Sequence, residues 1–473
     1  MRGKGAVTER PRGGGLLQPT KGRAAVSYPK VLIVGNNFDL VSGGGITLTN
    51  LFHGWPPDRL AVADSHPCEV DPAPCGRQYL LGSGELRWVA PIGFVVPGTR
   101  QRSVADRPLS APCVSKTAAG SARQRSAGLA LIARQAAHAG IDRLGGTDAV
   151  KSLACSRGVL KWVRDVRPDL VYTQLASLGM IRFVTQLAGR LGLPVAVHIM
   201  DDWPSVIYEQ GLLAPRLRAA TDRSFRALVA NAAATLAISR PMADEYRQRY
   251  GRLWEVFHNP VDIDRWSVAR RRDRSWKGTF RIVYAGRVGL GIESSIVDVC
   301  CAVQDLRRRG HTVCLDIFTP SATAAGQLRL GSFDGVEVRA AVEDERMPET
   351  LAGADLLVLP YDFAGKAAKF ACLSYPTKAP AYMATGVPTL VYAPREHALA
   401  LDAREKSWAY VIDAPGVDGV ARGIQRLMAH RSLRDQLVVA AVATCESHHD
   451  AQVVRERFRA TLARAAGGAG VTV

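Results

Sequence analysis

At 473 residues the chain is too long for one ordinary core, and two or three domains are expected. Hydrophobic residues at 47% and charged residues at 22% exclude a wholly disordered or fibrous chain. Lys+Arg 61 against Asp+Glu 43 gives a net charge of +18, whose field favours phosphates, nucleic acid or an acidic membrane face as partners.

Part of that excess lies in residues 1–28, expected to be a disordered tail in which Arg2, Lys4, Arg10, Arg12, Lys21 and Arg23 face Glu9 alone. The start holds no apolar core of a secretory signal, so none is expected. No run of about 18 uncharged apolar residues suggests a spanning helix. Cysteines 68, 75, 113, 155, 300, 301, 314, 372 and 445 form no C-x-x-C pair. They read as reduced thiols of a cytoplasmic protein rather than a disulfide framework or zinc site.

The first strong strand is KVLIV, Lys30 to Val34, apolar on both faces as in a buried parallel sheet. A glycine-rich loop and the periodic stretch ITLTNLFHGW follow, the opening of a βαβ unit. Residues 64–120 read as short strands in long loops, and a helix is expected over Gly128–Ala139. Helix and strand then alternate: helix Gly158–Arg164, strand DLVYTQ, helix Leu178–Leu191, strand PVAVHIM, helix Arg216–Ala234, strand ATLAIS and helix Pro241–Tyr250. Residues 269–277 (ARRRDRSWK) read as a charged linker. A second α/β half follows, with strands FRIVYAG, VCLDIF, VEVRA, DLLVLPY and VPTLVYA, and a helix over Ser294–Arg309. Helices over Val417–His430 and Leu433–Ala466 close the chain. The fold class is α/β: two Rossmann-like doubly wound domains facing across a cleft.

Open α/β sheets bind ligands beyond the carboxyl ends of their strands, and three such ends carry unusual residues. Gly43, Gly44 and Gly45 follow the first strand and let backbone approach an anion at a helix start, although the spacing is not G-x-G-x-x-G. A plain flexible turn is the alternative. His198, Asp201 and Asp202 cluster at the end of PVAVHIM, where a histidine suits a substrate hydroxyl and an aspartate could orient it. Either aspartate also suits a helix N-cap ahead of Trp203 and Pro204. In the second half, YAGR places Gly286 and Arg287 in a glycine-rich turn, and an arginine fork fits a diphosphate. Ser374, Thr377 and Lys378 open a helix ending before Gly386 and make a second phosphate cradle. Asp262 and Asp264 read as a turn rather than a metal motif, and no metal or cofactor is expected.

Taken in order, KVLIVGNNFDLVSGGGITLTNL, RPDLVYTQ, HIMDDWP, HNPVDIDRW, RIVYAGRVGLG, ADLLVLPY and PTKAPAYMATGVPTLVYA resemble glycosyltransferase family 4, the retaining nucleotide-sugar enzymes of GT-B fold. The resemblance spans about residues 29–395. It implies an acceptor domain over 29–268, a donor domain over 269–430 and C-terminal helices over 431–473 crossing back to the first domain. It implies transfer of a sugar from a nucleotide-diphosphate donor, as co-substrate, to a hydroxyl of a cell-surface glycan or lipid-linked precursor, without metal. His198 would approach the donor sugar, Arg287 would grip the diphosphate, and Ser374, Thr377 and Lys378 would hold sugar and phosphates. Gly43, Gly44 and Gly45 would line the cleft. The family's lysine five residues after the arginine is Ile292 here, and its glutamate pair is Leu373 and Ala381. Those departures keep open a weak or inactive nucleotide-sugar-binding protein, and a hydrolase or epimerase of the same fold is a further alternative. Two basic stretches, Arg123, Arg125 and Arg134, then Arg216, Arg218, Arg223 and Arg226, suit an anionic membrane face. Nucleic-acid binding lacks any recognition motif and is not expected.

Overall fold

The computed structural model describes residues 28–68, 70–88, 103–106, 151–273, 275–276, 278–289 and 291–467. The basic tail up to residue 27, the helix expected over Gly128–Ala139, and Arg123, Arg125 and Arg134 lie outside the described residues.

Val31–Val34 is buried on both faces and pairs in parallel with Leu60–Asp64 on one side and Leu170–Thr173 on the other. Continuous apolar runs of this kind need cover on both faces, which the connecting helices supply. Among the described residues the first sheet runs Glu255–Val256, Ala234–Ala237, Val195–Ile199, Leu170–Thr173, Val31–Val34, Leu60–Asp64, Arg77–Leu80 and Val104–Ala105. Its last strand is antiparallel. The chain winds outward from Val31–Val34 and then returns to its other side, so the strand order reverses there. The second sheet is parallel and runs Val336–Ala340, Val313–Thr319, Phe280–Ala285, Leu356–Pro360, Thr389–Tyr392 and Tyr410–Ile412, with its reversal at Phe280–Ala285. Each reversal opens a crevice beyond the strand ends.

Local chemistry fixes the helix limits. Ser177 Oγ accepts from Met180 N to start Leu178–Leu191, and Gly192 ends it in the left-handed region. Ser239 and Gly251 bound Arg240–Tyr250 in the same way. The helix expected to reach Ala234 stops at Ala230, and Ala234 opens the next strand.

The closing helix expected over Leu433–Ala466 is two helices, Arg431–His448 and Ala451–Gly467. The break marks a second crossing between the halves. There Val261 N donates to His449 O (2.8 Å) and Ala451 N to Val261 O (2.9 Å). The last helix packs back on the first sheet, where Phe458 meets Phe52, Tyr172 and Phe257 edge-on. The charged stretch after Ala269 is anchored: Arg271 pairs with Asp355 at 2.8 Å and Arg270 with Glu446 at 2.9 Å. No described helix is long and apolar enough to cross a membrane.

Candidate functional site

The two crevices face each other and form one cleft of about 660 Å³. The first half contributes Ser42, Gly43, Gly44, Thr47, Met200 and Asp201. The second contributes Tyr284, Arg287, Ile292, Ser374, Thr377 and Lys378, among others.

Glycine is required at two places for different reasons. Ser42 Oγ accepts from Gly45 N and caps the helix Gly43–Leu51. The Asp39 carboxylate in turn accepts from Val41 N and from Ser42 N and Oγ. A Cβ on Gly45 would stand 2.0 Å from Asp39 Oδ2, so Gly45 gives room to that support rather than to a ligand. Gly43 and Gly44 face the cleft, and a Cβ added at Gly43 would come within van der Waals reach of Thr377. At Gly286 the backbone has φ +152°, and a Cβ would meet Lys378 Nζ at 2.1 Å.

Lys378 is half-buried beside the cleft. Its ammonium donates to Tyr284 Oη at 2.9 Å and lies 4.2 Å from that ring's centroid. No carboxylate among the described residues pairs with it. Burial lowers its pKa to about 7. An ammonium short of counter-charge at a cleft wall is a ready anion site. Arg287 is exposed on the same wall, and its carbonyl accepts from Tyr284 Oη.

Asp201 faces the cleft, and Ser374 Oγ donates to its Oδ1 at 2.5 Å across the two halves. Burial raises its pKa and the Ser374 bond opposes the rise. Asp202 points elsewhere. Arg249 (2.9 Å), Tyr246 Oη (2.9 Å) and Ser205 Oγ (2.6 Å) all converge on its buried carboxylate. It sits at the N-cap of the short helix Trp203–Val206 without capping it through its side chain.

His198 does not reach the cleft. Its strand is central, and its ring points to the face covered by the C-terminal helix. Nε2 lies 3.0 Å from Phe257 O, so it carries the proton, and Nδ1 accepts from Tyr172 Oη at 2.7 Å. Burial lowers its pKa to about 3, so it is neutral. Its influence passes through Tyr172 to Gln174, which bonds Asn36 and underlies Gly44.

The departures are also placed. Ile292 lines the cleft, while Leu373 and Ala381 pack against the core. Leu373 O accepts from Ser239 Oγ of the first half at 2.6 Å. The amides of Glu293 and Ser295, at the start of the helix Glu293–Arg308, are taken by Asp362. Sequence reasoning missed Tyr284 because a tyrosine within a buried strand reads as core. It also missed the helix Gly365–Ala371, whose Phe370 and Ala371 line the cleft.

Two sheets with this winding, a shared cleft and a returning C-terminal helix decide the architecture. The fold is GT-B. Solved GT-B structures match along nearly their whole length. The Anabaena protein Alr3699/HepE, solved with UDP and glucose, is 14% identical over 92% of this chain and 99% of that one, at TM-score 0.57. Sucrose-phosphate synthase from Thermosynechococcus elongatus is 12% identical over 90% and 96%, at TM-score 0.55. WaaG, a glycosyltransferase involved in lipopolysaccharide biosynthesis, is 13% identical over 91% and 98%, at TM-score 0.51. Residues 117–265, within the first GT-B half, match the family model described as Glycosyltransferase Family 4, so the resemblance read from the motifs is borne out. Among curated proteins nothing matches.

Proposed function

We propose that this chain is a glycosyltransferase that moves a sugar from a nucleotide-diphosphate donor to an acceptor hydroxyl. The carrying observation is the ammonium of Lys378, held without a carboxylate partner among the described residues on the cleft wall that also carries Arg287. In transfer, the bond from the anomeric carbon to the leaving phosphate oxygen breaks as the acceptor oxygen bonds to that carbon. Negative charge grows on the diphosphate, and fixed positive charge there lowers the barrier. Arg287 and Lys378 supply that charge from side chains, which supports a metal-independent reading. The leaving phosphate takes the acceptor's proton, and attack on the face it leaves gives retention, an assignment that rests on the family resemblance.

The structures solved with UDP and with UDP-glucose support a uridine diphosphate sugar as the first donor class to try. Gly43, Gly44 and Asp201 face the donor side from the first half and frame the acceptor. Ser374 and Thr377 complete the donor wall. A glycan or lipid-linked precursor is the acceptor class this reading favours. The exposed Arg216, Arg218 and Arg223 offer an anionic membrane a peripheral contact. Sedimentation with anionic vesicles, reversed by salt, tests that contact.

The direct test is a thermal-shift panel of nucleoside diphosphates and their sugars on wild type and Arg287→Ala. Binding to the folded state raises the transition by mass action. Stabilisation of the wild type that Arg287→Ala loses supports the proposal. A flat panel overturns it in favour of an inactive relative.

A further inference from the structure

We propose that Tyr284 is the positioning residue of this cleft, its hydroxyl joining the Lys378 ammonium and the Arg287 turn into one preformed diphosphate cradle. The inference rests on the donor reading above and adds a residue to it. Tyr284 stands near the end of the strand Phe280–Ala285, with its ring packed in the second core and its edge at the cleft. Its Oη donates to Arg287 O. That fixes the direction of the other bond: with its proton spent on the carbonyl, the oxygen receives Lys378 Nζ as an acceptor. The ammonium therefore spends one N–H on Tyr284 and keeps two for a ligand. The ring adds a second restraint through its face, 4.2 Å from Nζ.

The surroundings are shaped to this arrangement. Gly286 leaves the space the ammonium fills. Tyr382 Oη accepts from Ala285 N at 2.9 Å and ties the strand end to the helix that follows Lys378. Burial holds the Tyr284 phenol well above its ordinary pKa, so its proton remains available to the Arg287 carbonyl. The Lys378 ammonium and the Arg287 main chain thus meet at one oxygen, although they lie 91 residues apart in sequence. Without that oxygen, Lys378 has a flexible four-carbon stem and no polar partner among the described residues to aim it.

The test uses UDP as probe, with binding to the full chain followed by calorimetry from pH 6 to 9. In the wild type, affinity falls with rising pH as Lys378 loses its proton. Tyr284→Phe keeps the ring and removes the shared oxygen. It should weaken UDP about tenfold or more, as expected for one lost bond to a charged group. The pH midpoint of binding should also move down by about half a unit or more, because the charged form has lost an acceptor. In a Lys378→Met background the same change should lose most of its cost, the signature of action through the lysine. Tyr392→Phe, which removes a buried hydroxyl from the same sheet bonded to Asp298 at 2.6 Å, should move neither affinity nor midpoint. A Tyr284→Phe protein with wild-type affinity and midpoint, beside an Arg287→Ala protein that has lost UDP, would sink the role of Tyr284 alone. A wild type that binds none of the nucleoside diphosphates takes down both readings.

Discussion

Ser374 Oγ and Asp201 Oδ1 meet at 2.5 Å across the cleft floor, one from each half of the molecule. The neighbouring contacts run the same way: Ser239 Oγ to Leu373 O, Asn259 Nδ2 to Thr377 O and Asp202 N to Phe370 O. The segment carrying Ser374 and Thr377 is therefore clamped to the first half. Ser374→Ala removes one charge-assisted bond, worth about 1.5–3 kcal/mol before relaxation. We expect turnover to fall about tenfold, with donor KM changed less than about threefold, because the bond orders the halves rather than grips phosphate. The acid limb of kcat/KM should move to higher pH, since the Ser374 bond holds the Asp201 pKa down against burial. Steady-state kinetics on the variant against pH decide this, and an unmoved limb would count against a cleft role for Asp201.

Gly286→Ala tests the space around the ammonium. A Cβ placed 2.1 Å from Lys378 Nζ must displace it, and φ +152° adds backbone strain. The expected result is a UDP affinity at least about tenfold lower and a stability loss of about 1–3 kcal/mol. Lys378→Met should reproduce the affinity loss without the strain, so the pair separates the two effects by calorimetry and denaturant unfolding.

The parallel strands and the two-domain winding were legible in the sequence because VLIV, VAVHI and LLVLP are apolar runs between glycine, serine and proline punctuation. The cations were legible from their places: Arg287 follows the strand Phe280–Ala285 where apolar residues would continue, and Lys378 stands at the start of the helix Ala379–Ala384. Orientation was not. His198 and Asp201 are three residues apart, and strand alternation followed by a turn sends one into the core and the other into the cleft. That outcome depends on the helix Ala451–Gly467, which covers the His198 face from some 250 residues away. The crossing at His449 was invisible as well, because the pattern of Leu433–Ala466 is helical on both sides of it.

Lys378 carries a pH dependence whose sign follows from its lowered pKa of about 7. Between that value and its unfolded pKa of about 10.4, the unfolded chain binds more protons than the folded one. Stability of the free protein therefore rises with pH across that window, while diphosphate affinity falls. Lys378→Met should remove this contribution and be as stable as the wild type or more so near pH 7. It should also lose the UDP-induced rise in Tm. Paired thermal scans from pH 6 to 9 check both trends, and parallel curves for the two proteins would refute the assignment.

His258 and His449 approach at 3.1 Å between their Nδ1 atoms where the chain crosses between halves. One proton can lie between them, and a second would set two like charges side by side. Arg457 and Lys406 also disfavour charge on His258, and Asp402 opposes them. Burial is the larger cause and lowers the His258 pKa to about 4; His449 is lowered as well. An unfolded histidine takes its proton near pH 6.5 and the folded pair does so well below that, so folding stability drops as pH falls through this interval. His449→Gln keeps a polar group at the crossing and removes one titrating ring. The wild-type stability advantage over it should shrink by up to about 2–3 kcal/mol between pH 6.5 and 4.5. Denaturant unfolding of both proteins at those two pH values measures the change, and an advantage that grew on acidification would show that the pair is protonated in the native crossing.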